Sequence, residues 1–205
     1  MKLSSITTFV ESLGSDKTSL LSGVYEGGFR LQQVPEEIAP CLLDLINRKK
    51  KFKSYLEIGS AAGGTAFLFN HFFEFERMVL IDDNTYLKRT RQLELRKKIL
   101  NGISYTEIIG DSKSQEVIDK IKVMNETFDI MLIDGDHTYN GVKADVTLYL
   151  KYLSKGGYLI LHDIVACSGV GKVFEELKHN DELTFVKKYI SVVHKKPCGI
   201  AIFKK

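Results

Sequence analysis

The sequence lacks several features that mark specialised classes of protein. It has only three prolines and three cysteines among its 205 residues, so its helices and strands can run without interruption. The cysteines are odd in number, widely spaced and without a Cys-x-x-Cys motif, which excludes a disulfide framework or a zinc cage and indicates a reduced, cytoplasmic setting. No apolar run approaches the roughly 20 residues that span a bilayer.

The sequence also lacks a large excess of charge of either sign. The 29 Lys and Arg residues against 26 Asp and Glu give a formal net charge of +3, which is too small to indicate nucleic acid or a membrane as partner. Hydrophobic residues make up 44% and charged residues 27%, as in ordinary globular proteins. We therefore expect one globular domain of residues 1–205 that binds neither nucleic acid nor membrane.

Short apolar runs alternate with amphipathic stretches from residue 54 onward. The runs predict strands over residues 54–59, 78–83, 103–110, 128–135 and 158–163, and the stretches between them predict helices over residues 65–73, 86–100, 114–122 and 139–153. Residues 183–193 and 199–205 predict an antiparallel pair. This pattern is typical of an α/β fold: a single doubly wound, Rossmann-like domain with a seven-stranded, mostly parallel sheet and a C-terminal antiparallel hairpin.

The remaining segments frame that core. Residues 1–34 predict a helix followed by an N-terminal cover over the site, and the Rossmann-like core occupies residues 35–205, beginning with a helix over residues 35–49. Residues 168–171 contain two glycines and predict a connection that leads into a helix through Leu177. Asp145 lies within a predicted helix and is expected to make a local hydrogen bond.

A glycine-containing turn follows the first predicted strand, in the order Glu57-Ile58-Gly59-Ser60-Ala61-Ala62-Gly63. Glycine lets the backbone turn tightly and approach a ligand, and the helix beyond offers free N–H groups. Asp82 lies 23 residues after Gly59, where a carboxylate can accept hydrogen bonds from a ribose diol; Asp83 is its rival. A third acidic strand end, at Asp111 and Ser112, suits an adenosine moiety with a cationic sulfonium.

The fourth and fifth predicted strands bring further ionisable groups to the same edge. The fourth ends in Asp134-Gly135-Asp136-His137 and the fifth in His162-Asp163. A buried carboxylate cluster is costly unless it is paired, and a divalent cation bound by carboxylate oxygens, such as Mg²⁺, Mn²⁺ or Ca²⁺, relieves the repulsion. A metal can acidify a hydroxyl and a nearby base can take its proton. The alternative is that the aspartates cap a helix.

This combination resembles the class I S-adenosylmethionine-dependent methyltransferases, over about residues 54–205. Within them it looks like the metal-dependent small-molecule O-methyltransferases of the catechol, caffeoyl-CoA and antibiotic-sugar types. The resemblance implies S-adenosylmethionine contacts at Glu57, Gly59, Ser60, Gly63, Asp82, Asp111, Ser112 and Asp134. It also implies a divalent cation, Mg²⁺ or Mn²⁺, at Asp134, His162 and Asp163, and His137 as the catalytic base. Two departures are Ala61 in place of a middle glycine and His162-Asp163 in place of an Asp-Asn pair.

The function implied is methyl transfer to a hydroxyl of a small molecule, such as a sugar, a natural product or a catechol. Amino-methylating DNA enzymes of this fold resemble each other in an Asn/Asp-Pro-Pro-Tyr stretch after the fourth strand. This chain has no proline between Pro40 and Pro197, so methylation of DNA amino groups is disfavoured. Two alternatives stay open. The first is an NAD(P)-dependent oxidoreductase, because the turn also reads Gly-x-Ala-x-x-Gly, one substitution from a dinucleotide fingerprint. The second is a non-catalytic nucleoside-binding protein of the same fold. By analogy with the family, we expect a homodimer.

Overall fold

The computed structural model describes residues 1–13, 31–48, 51–85, 89–193 and 196–205. In this part of the chain the strands are β1 (Ser54–Ile58), β2 (Arg77–Asp82), β3 (Thr106–Ile109), β4 (Phe128–Ile133), β5 (Leu153–His162), β6 (Thr184–Tyr189) and β7 (Ile200–Lys204). The helices are α1 (Leu3–Ser12), α2 (Pro35–Asn47), α3 (Gly64–Phe73), α4 (Arg89–Ile99), α5 (Gln115–Met124), α6 (Tyr139–Tyr149) and α7 (Ser168–Leu177). The predicted strands and helices are confirmed, with shifts of a few residues at their ends.

The strands form one sheet in the order β3-β2-β1-β4-β5-β7-β6. The first five are parallel, whereas β7 is antiparallel to both β5 and β6. The chain moves outward from β1 to β3 and then returns to place β4 on the other side of β1. This reversal creates a crevice at the carboxyl ends of β1 and β4, where ligands bind in open α/β sheets. The predicted doubly wound sheet with a terminal antiparallel hairpin is confirmed.

Both faces of the central strands of the sheet are buried, which explains their continuous apolar runs. Successive β1 residues point to opposite faces, so Tyr55 packs in the core beneath α1 to α3 and Leu56 in the core beneath α5 to α7. All five β1 residues are buried, as expected for a parallel strand covered on both sides. Among the described residues, no helix has the length and apolar character needed to cross a membrane.

The predicted connection over residues 168–171 is wrong, because these residues form the first turn of α7. Their glycines serve close packing instead. A Cβ atom on Gly169 would lie 2.5 Å from the carbonyl oxygen of His137, and one on Gly171 would lie 2.8 Å from that of Ile164. The glycines therefore let α7 lie directly on the loops that follow β4 and β5.

Two other boundaries differ from expectation. The helix predicted over residues 139–153 ends at Tyr149, is followed by a 3₁₀ turn (Leu150–Tyr152), and gives way to β5, which begins earlier than predicted. At the N-terminus the predicted helix is confirmed as α1. Most of the predicted cover, residues 14–30, lies outside the described residues, as do the predicted end of α2 at residue 49 and the predicted start of α4 at residues 86–88.

A buried carboxylate ties α2 to the terminal hairpin. Glu37 is fully buried, and its two oxygens accept hydrogen bonds from the backbone N–H groups of Ser191 and Gly199, each at 2.8 Å. Both donors lie in the loop between β6 and β7. Glu37 thereby anchors the two described parts of this loop to α2.

Replacement of Glu37 by alanine should strand two buried N–H groups and lower the free energy of unfolding by about 2–4 kcal/mol. Urea denaturation followed by circular dichroism measures the change. The matched control is Glu36→Ala, since Glu36 is the exposed neighbour on the same helical turn and should cost no more than about 1 kcal/mol. Equal losses in the two variants would contradict the role given to Glu37.

Candidate active site

A cavity of about 780 Å³ opens at the carboxyl ends of the parallel strands. Its volume is within the range of small-molecule and cofactor sites. Eight of the residues singled out in the sequence line it: Gly59, Asp82, Asp111, Ser112, Asp134, His137, His162 and Asp163. The crevice between β1 and β4 thus gathers side chains that lie up to about a hundred residues apart in the chain.

The turn after β1 packs directly on the backbone that follows β4. Gly59 has a φ of +88°, and a Cβ atom there would lie 2.2 Å from the carbonyl oxygen of Asp134 and 2.6 Å from the Cα atom of Gly135. The ladder extends to this point, because the N–H of Asp134 donates to the carbonyl of Ile58 at 2.8 Å. Only glycine fits here, and its absence of a side chain brings the glycine turn and the Asp134 loop into one cavity.

Three residues expected to contact the cofactor do not line this cavity. Glu57 and Ser60 are buried beneath it, and Gly63 lies at the N-terminus of α3 with a φ of +84°. The hydroxyl of Tyr55 donates to Glu57 Oε2 at 3.0 Å, and burial raises the pKa of Glu57 to about 8 against the effect of that hydrogen bond. These residues shape the turn from behind its ligand-facing surface.

The carboxylate of Asp82 is largely occupied by its neighbours. Its Oδ2 accepts the N–H of Ala61 at 2.7 Å, and its Oδ1 accepts the N–H of Asn84 at 2.7 Å and Nε2 of Gln92 at 2.6 Å. The side chain is 9% exposed. Asp83, by contrast, is exposed on the cavity wall. Of the two carboxylates that the sequence offered for a ribose, Asp83 is therefore the more exposed.

The end of β3 is anchored to α6 through a buried hydrogen bond. Ser112 Oγ donates to Asp145 Oδ1 at 2.5 Å, so the expected local hydrogen bond of Asp145 is wrong. Asp145 lies on the sheet-facing side of α6 and is fully buried, which directs its carboxylate toward another loop. Burial raises the pKa of Asp145 to about 6.

A lysine links the ends of β3 and β4 across the cavity mouth. Lys113 Nζ lies 3.0 Å from Asp111 Oδ1 and 3.3 Å from Asp136 Oδ2. These pairs are partly exposed, so their main effect is on the shape of the rim.

Two histidines and two aspartates form the polar centre of the cavity. Asp134 Oδ1 lies 3.2 Å from both His137 Nε2 and His162 Nδ1. Asp163 reaches the same rings, with Oδ1 3.3 Å from His162 Nδ1 and Oδ2 3.5 Å from His137 Nδ1. Four of the five ionisable residues predicted at this edge thus come together, with each histidine in contact with each aspartate, whereas the fifth, Asp136, pairs with Lys113.

The charges in this centre stabilise each other. Burial opposes ionisation of Asp134, but the charge of His162 and the hydrogen bonds of both histidines outweigh it and lower the pKa of Asp134. The hydrogen bond to Asp134 raises the pKa of His137. For His162, burial opposes protonation, yet Asp134 and Asp163 raise its pKa well above the usual value. These opposite shifts favour the pairing of an ionised Asp134 with protonated imidazole rings at His137 and His162.

Two cysteines complete this centre, and the sequence analysis missed both. Cys167 Sγ lies 3.5 Å from His137 Nδ1 and 3.9 Å from Asp163 Oδ2. Cys198 offers its sulfur to a second group with His162 and Asp163, in which the candidate ligand atoms lie within 4.8 Å of one another. Cys167 follows Asp163 by one helical turn, a spacing that could have suggested it. Cys198 comes from the terminal hairpin, and no local signal in the sequence places it here.

A fully buried arginine was also missed. Arg96 on α4 is 0% exposed, and its guanidinium donates to the carbonyl of Ala61 and to Glu107 Oε1. The two residues that follow it, Lys97 and Lys98, are exposed, so the basic stretch gave no sign that one member points inward.

Comparison with solved structures identifies the same architecture in known enzymes. The O-methyltransferase TomG from Streptomyces achromogenes, solved with S-adenosylmethionine, has a TM-score of 0.67 and 18% identity over 98% of this chain and 95% of its own. An O-methyltransferase from Bacillus cereus, solved with S-adenosylhomocysteine, has a TM-score of 0.66 and 14% identity over 99% of both chains. A putative caffeoyl-CoA O-methyltransferase from Staphylococcus aureus has a TM-score of 0.64 and 17% identity over 84% and 85%.

Sequence comparison adds a relative and a family. An uncharacterised protein of Acanthamoeba polyphaga mimivirus is 30% identical over 112 residues, which are 54% of this chain and 51% of that protein. The match thus spans about half the length of this curated relative. The family model described as a methyltransferase domain matches residues 56–164, from β1 through the end of β5, and these residues include most of those that line the cavity. Because that match covers more than half of the sequence, the chain belongs to the methyltransferase-domain family, as the sequence predicted.

Proposed function

We propose that the protein transfers a methyl group from S-adenosylmethionine to a hydroxyl of a small molecule. The observation that carries this proposal is the packing of Gly59 on Asp134. Because of it, the glycine turn and the polar centre that contains His137 line one cavity. Family membership supports a methyl donor over a nicotinamide dinucleotide. We further propose, from composition alone, a cytoplasmic protein that acts without nucleic acid or membrane, and, by analogy, a homodimer.

The charge of the cavity supports this choice of cofactor. Asp82, Asp83 and Asp111, which lie at or just after the ends of β2 and β3, line the cavity. Carboxylates attract a cationic sulfonium and can accept hydrogen bonds from a ribose diol, whereas they repel the pyrophosphate of a dinucleotide. Asp134, which follows the strand next to the turn, adds a further negative charge toward the reacting end.

His137 is the proposed base. Its ring lies beside Asp134 and Asp163, is 39% exposed and lines the cavity. A deprotonated ring nitrogen can take the proton of an acceptor hydroxyl. The oxygen then forms its bond to the methyl carbon as the carbon–sulfur bond breaks, and the cofactor leaves as neutral S-adenosylhomocysteine. Asp134 and Asp163 would stabilise the imidazolium that results.

The residues fit a divalent cation, with a donor set that differs from a purely oxygen site. His162 Nε2 is buried and has no hydrogen-bond partner in the described part of the chain. The imidazole nitrogen of His162 suits Mn²⁺ or Zn²⁺ better than Mg²⁺, and the cysteine sulfurs that lie next to Asp163 suit Zn²⁺. Asp134, His162 and Asp163 are the residues that would hold the ion. When bound, such an ion supplies Lewis acidity toward an acceptor hydroxyl.

Isothermal titration calorimetry, which measures binding, and a thermal unfolding assay together test the choice of cofactor. S-adenosylhomocysteine should bind the protein and raise its unfolding temperature, because ligand binding to the folded state stabilises it. NAD⁺ and NADP⁺ at the same concentrations should leave the unfolding temperature unchanged. Binding of a dinucleotide instead would support the oxidoreductase alternative, and stabilisation by none of them would support a protein without this cofactor.

Titration of Mn²⁺, Zn²⁺ and Mg²⁺ into the complex with S-adenosylhomocysteine tests the cation. We expect Mn²⁺ or Zn²⁺ to bind more tightly than Mg²⁺, and Asp163→Asn to abolish binding because it removes a ligand charge. Asp136→Asn is the matched control, since this carboxylate lines the same cavity but pairs with Lys113. If the Asp163 variant bound the cation as tightly as wild type, the proposed location of the site would be wrong.

Substitution of His137 by alanine should reduce methyl transfer to a responsive acceptor by roughly 10²–10⁴-fold. Affinity for S-adenosylhomocysteine should change little. Because Asp134 raises the pKa of His137, the wild-type rate should increase with pH as the ring loses its proton above its ordinary titration range. A radiolabelled methyl-transfer assay across pH 6–9 measures both effects. His179→Ala, at an exposed position after α7, is the control and should retain the wild-type profile; an unaltered rate without His137 would contradict its role as base.

A further inference from the structure

The glycine turn contains a residue that is not glycine at a position where glycine is favoured. Ala61 has a φ of +42°, in the left-handed region that the Cβ atom of L-residues disfavours. Ala61 also lines the cavity, so its conformation sets the surface that the cofactor would meet. Something in the surrounding structure must hold it there.

Both backbone polar groups of Ala61 are held by charged side chains. Its N–H donates to Asp82 Oδ2 at 2.7 Å. Its carbonyl oxygen accepts from Arg96 Nε at 2.8 Å and also from Arg96 Nη2. The peptide groups on the two sides of Ala61 are therefore fixed by a carboxylate and a guanidinium, and hydrogen bonds to charged groups are stronger than neutral ones.

Arg96 is itself held rigidly. Its Nη1 donates to Glu107 Oε1 at 2.7 Å and its Nη2 to Asn84 Oδ1 at 3.0 Å, while Nη2 lies 3.6 Å from Asp82 Oδ1. Gly63 leaves room for it, because a Cβ atom there would lie 3.1 Å from Arg96 Cγ. The planar guanidinium thus joins the glycine turn to β3 and to Asn84 in the loop after β2, which a lysine cannot do.

We propose that Asp82 and Arg96 form a clamp that holds Ala61 in its left-handed conformation and so prepares the turn for the cofactor. Both are positioning residues: they act through the backbone of Ala61. The clamp compensates for the missing middle glycine. Its effect on cofactor affinity rests on the proposed function, whereas its effect on the turn does not.

The test compares Arg96→Gln with wild type in two measurements. Hydrogen exchange of the unliganded protein, followed by mass spectrometry, should show faster exchange over residues 59–63, because loss of the clamp lets the turn open. The dissociation constant for S-adenosylhomocysteine should rise about tenfold, the loss expected for a charged hydrogen bond. Adding Ala61→Gly to Arg96→Gln should recover part of this affinity, because glycine adopts a positive φ without a steric penalty.

Arg77→Gln is the matched control. Arg77 begins β2 at the end of the sheet away from the cavity, where its Nε lies 2.5 Å from Glu126 Oε2. This variant should lose stability without altering the exchange of residues 59–63 or the affinity for S-adenosylhomocysteine. Equal loss of affinity in both arginine variants would contradict a specific clamp.

If Arg96→Gln does not fold, Glu107→Gln takes its place in both measurements. Glu107 is one quarter exposed, and loss of its charge should loosen Arg96 and give a smaller change in the same direction. The clamp would be contradicted if the variant exchanged hydrogen over residues 59–63 at the wild-type rate. It would also be contradicted if wild type bound S-adenosylhomocysteine and the variant bound it with the same affinity. If wild type does not bind S-adenosylhomocysteine, the proposed function fails, and the exchange measurement alone decides the clamp.

Discussion

The packing of Gly59 on the backbone of Asp134 and Gly135 is the constraint on which the candidate site depends. A methyl group at this position would overlap the Asp134 carbonyl oxygen, since the two atoms would be 2.2 Å apart. The sheet order supplies the crevice, and the missing side chain of Gly59 lets the turn after β1 and the loop after β4 pack together at one cavity.

Much of the fold could be predicted because its signals are local. Buried parallel strands give continuous apolar runs, and the strand ends carry the aspartates and histidines to one edge. Predictions failed where a residue's role depends on a distant partner. Gly169 and Gly171 were interpreted as a connection, although they permit contact with loops about thirty and seven residues earlier. Asp145 was assigned a local hydrogen bond, although its partner is Ser112, 33 residues away.

The site could be predicted in the same uneven way. The residues on strand ends, such as Asp134 and His162, follow from topology and meet as expected. Arg96 could not be recognised, because inward and outward positions in a strongly basic helix look alike in composition, and its partners belong to three other segments. Cys198 could not be placed because it reaches the cavity from a hairpin whose loop is fixed by Glu37 on a distant helix.

The position of β7 has a consequence for how the protein is made. β7 follows β6 in the chain, yet it pairs between β5 and β6. While the ribosome is still adding residues 200–204, β5 has an unpaired edge and β6 has no neighbour in the sheet. The wall that carries Cys198 can close only after β7 has paired with β5. Assembly of the cavity therefore depends on a strand that follows the other six in the described part of the chain, and a chain in which β7 has not yet paired exposes the edge of β5 to chaperones or to another copy.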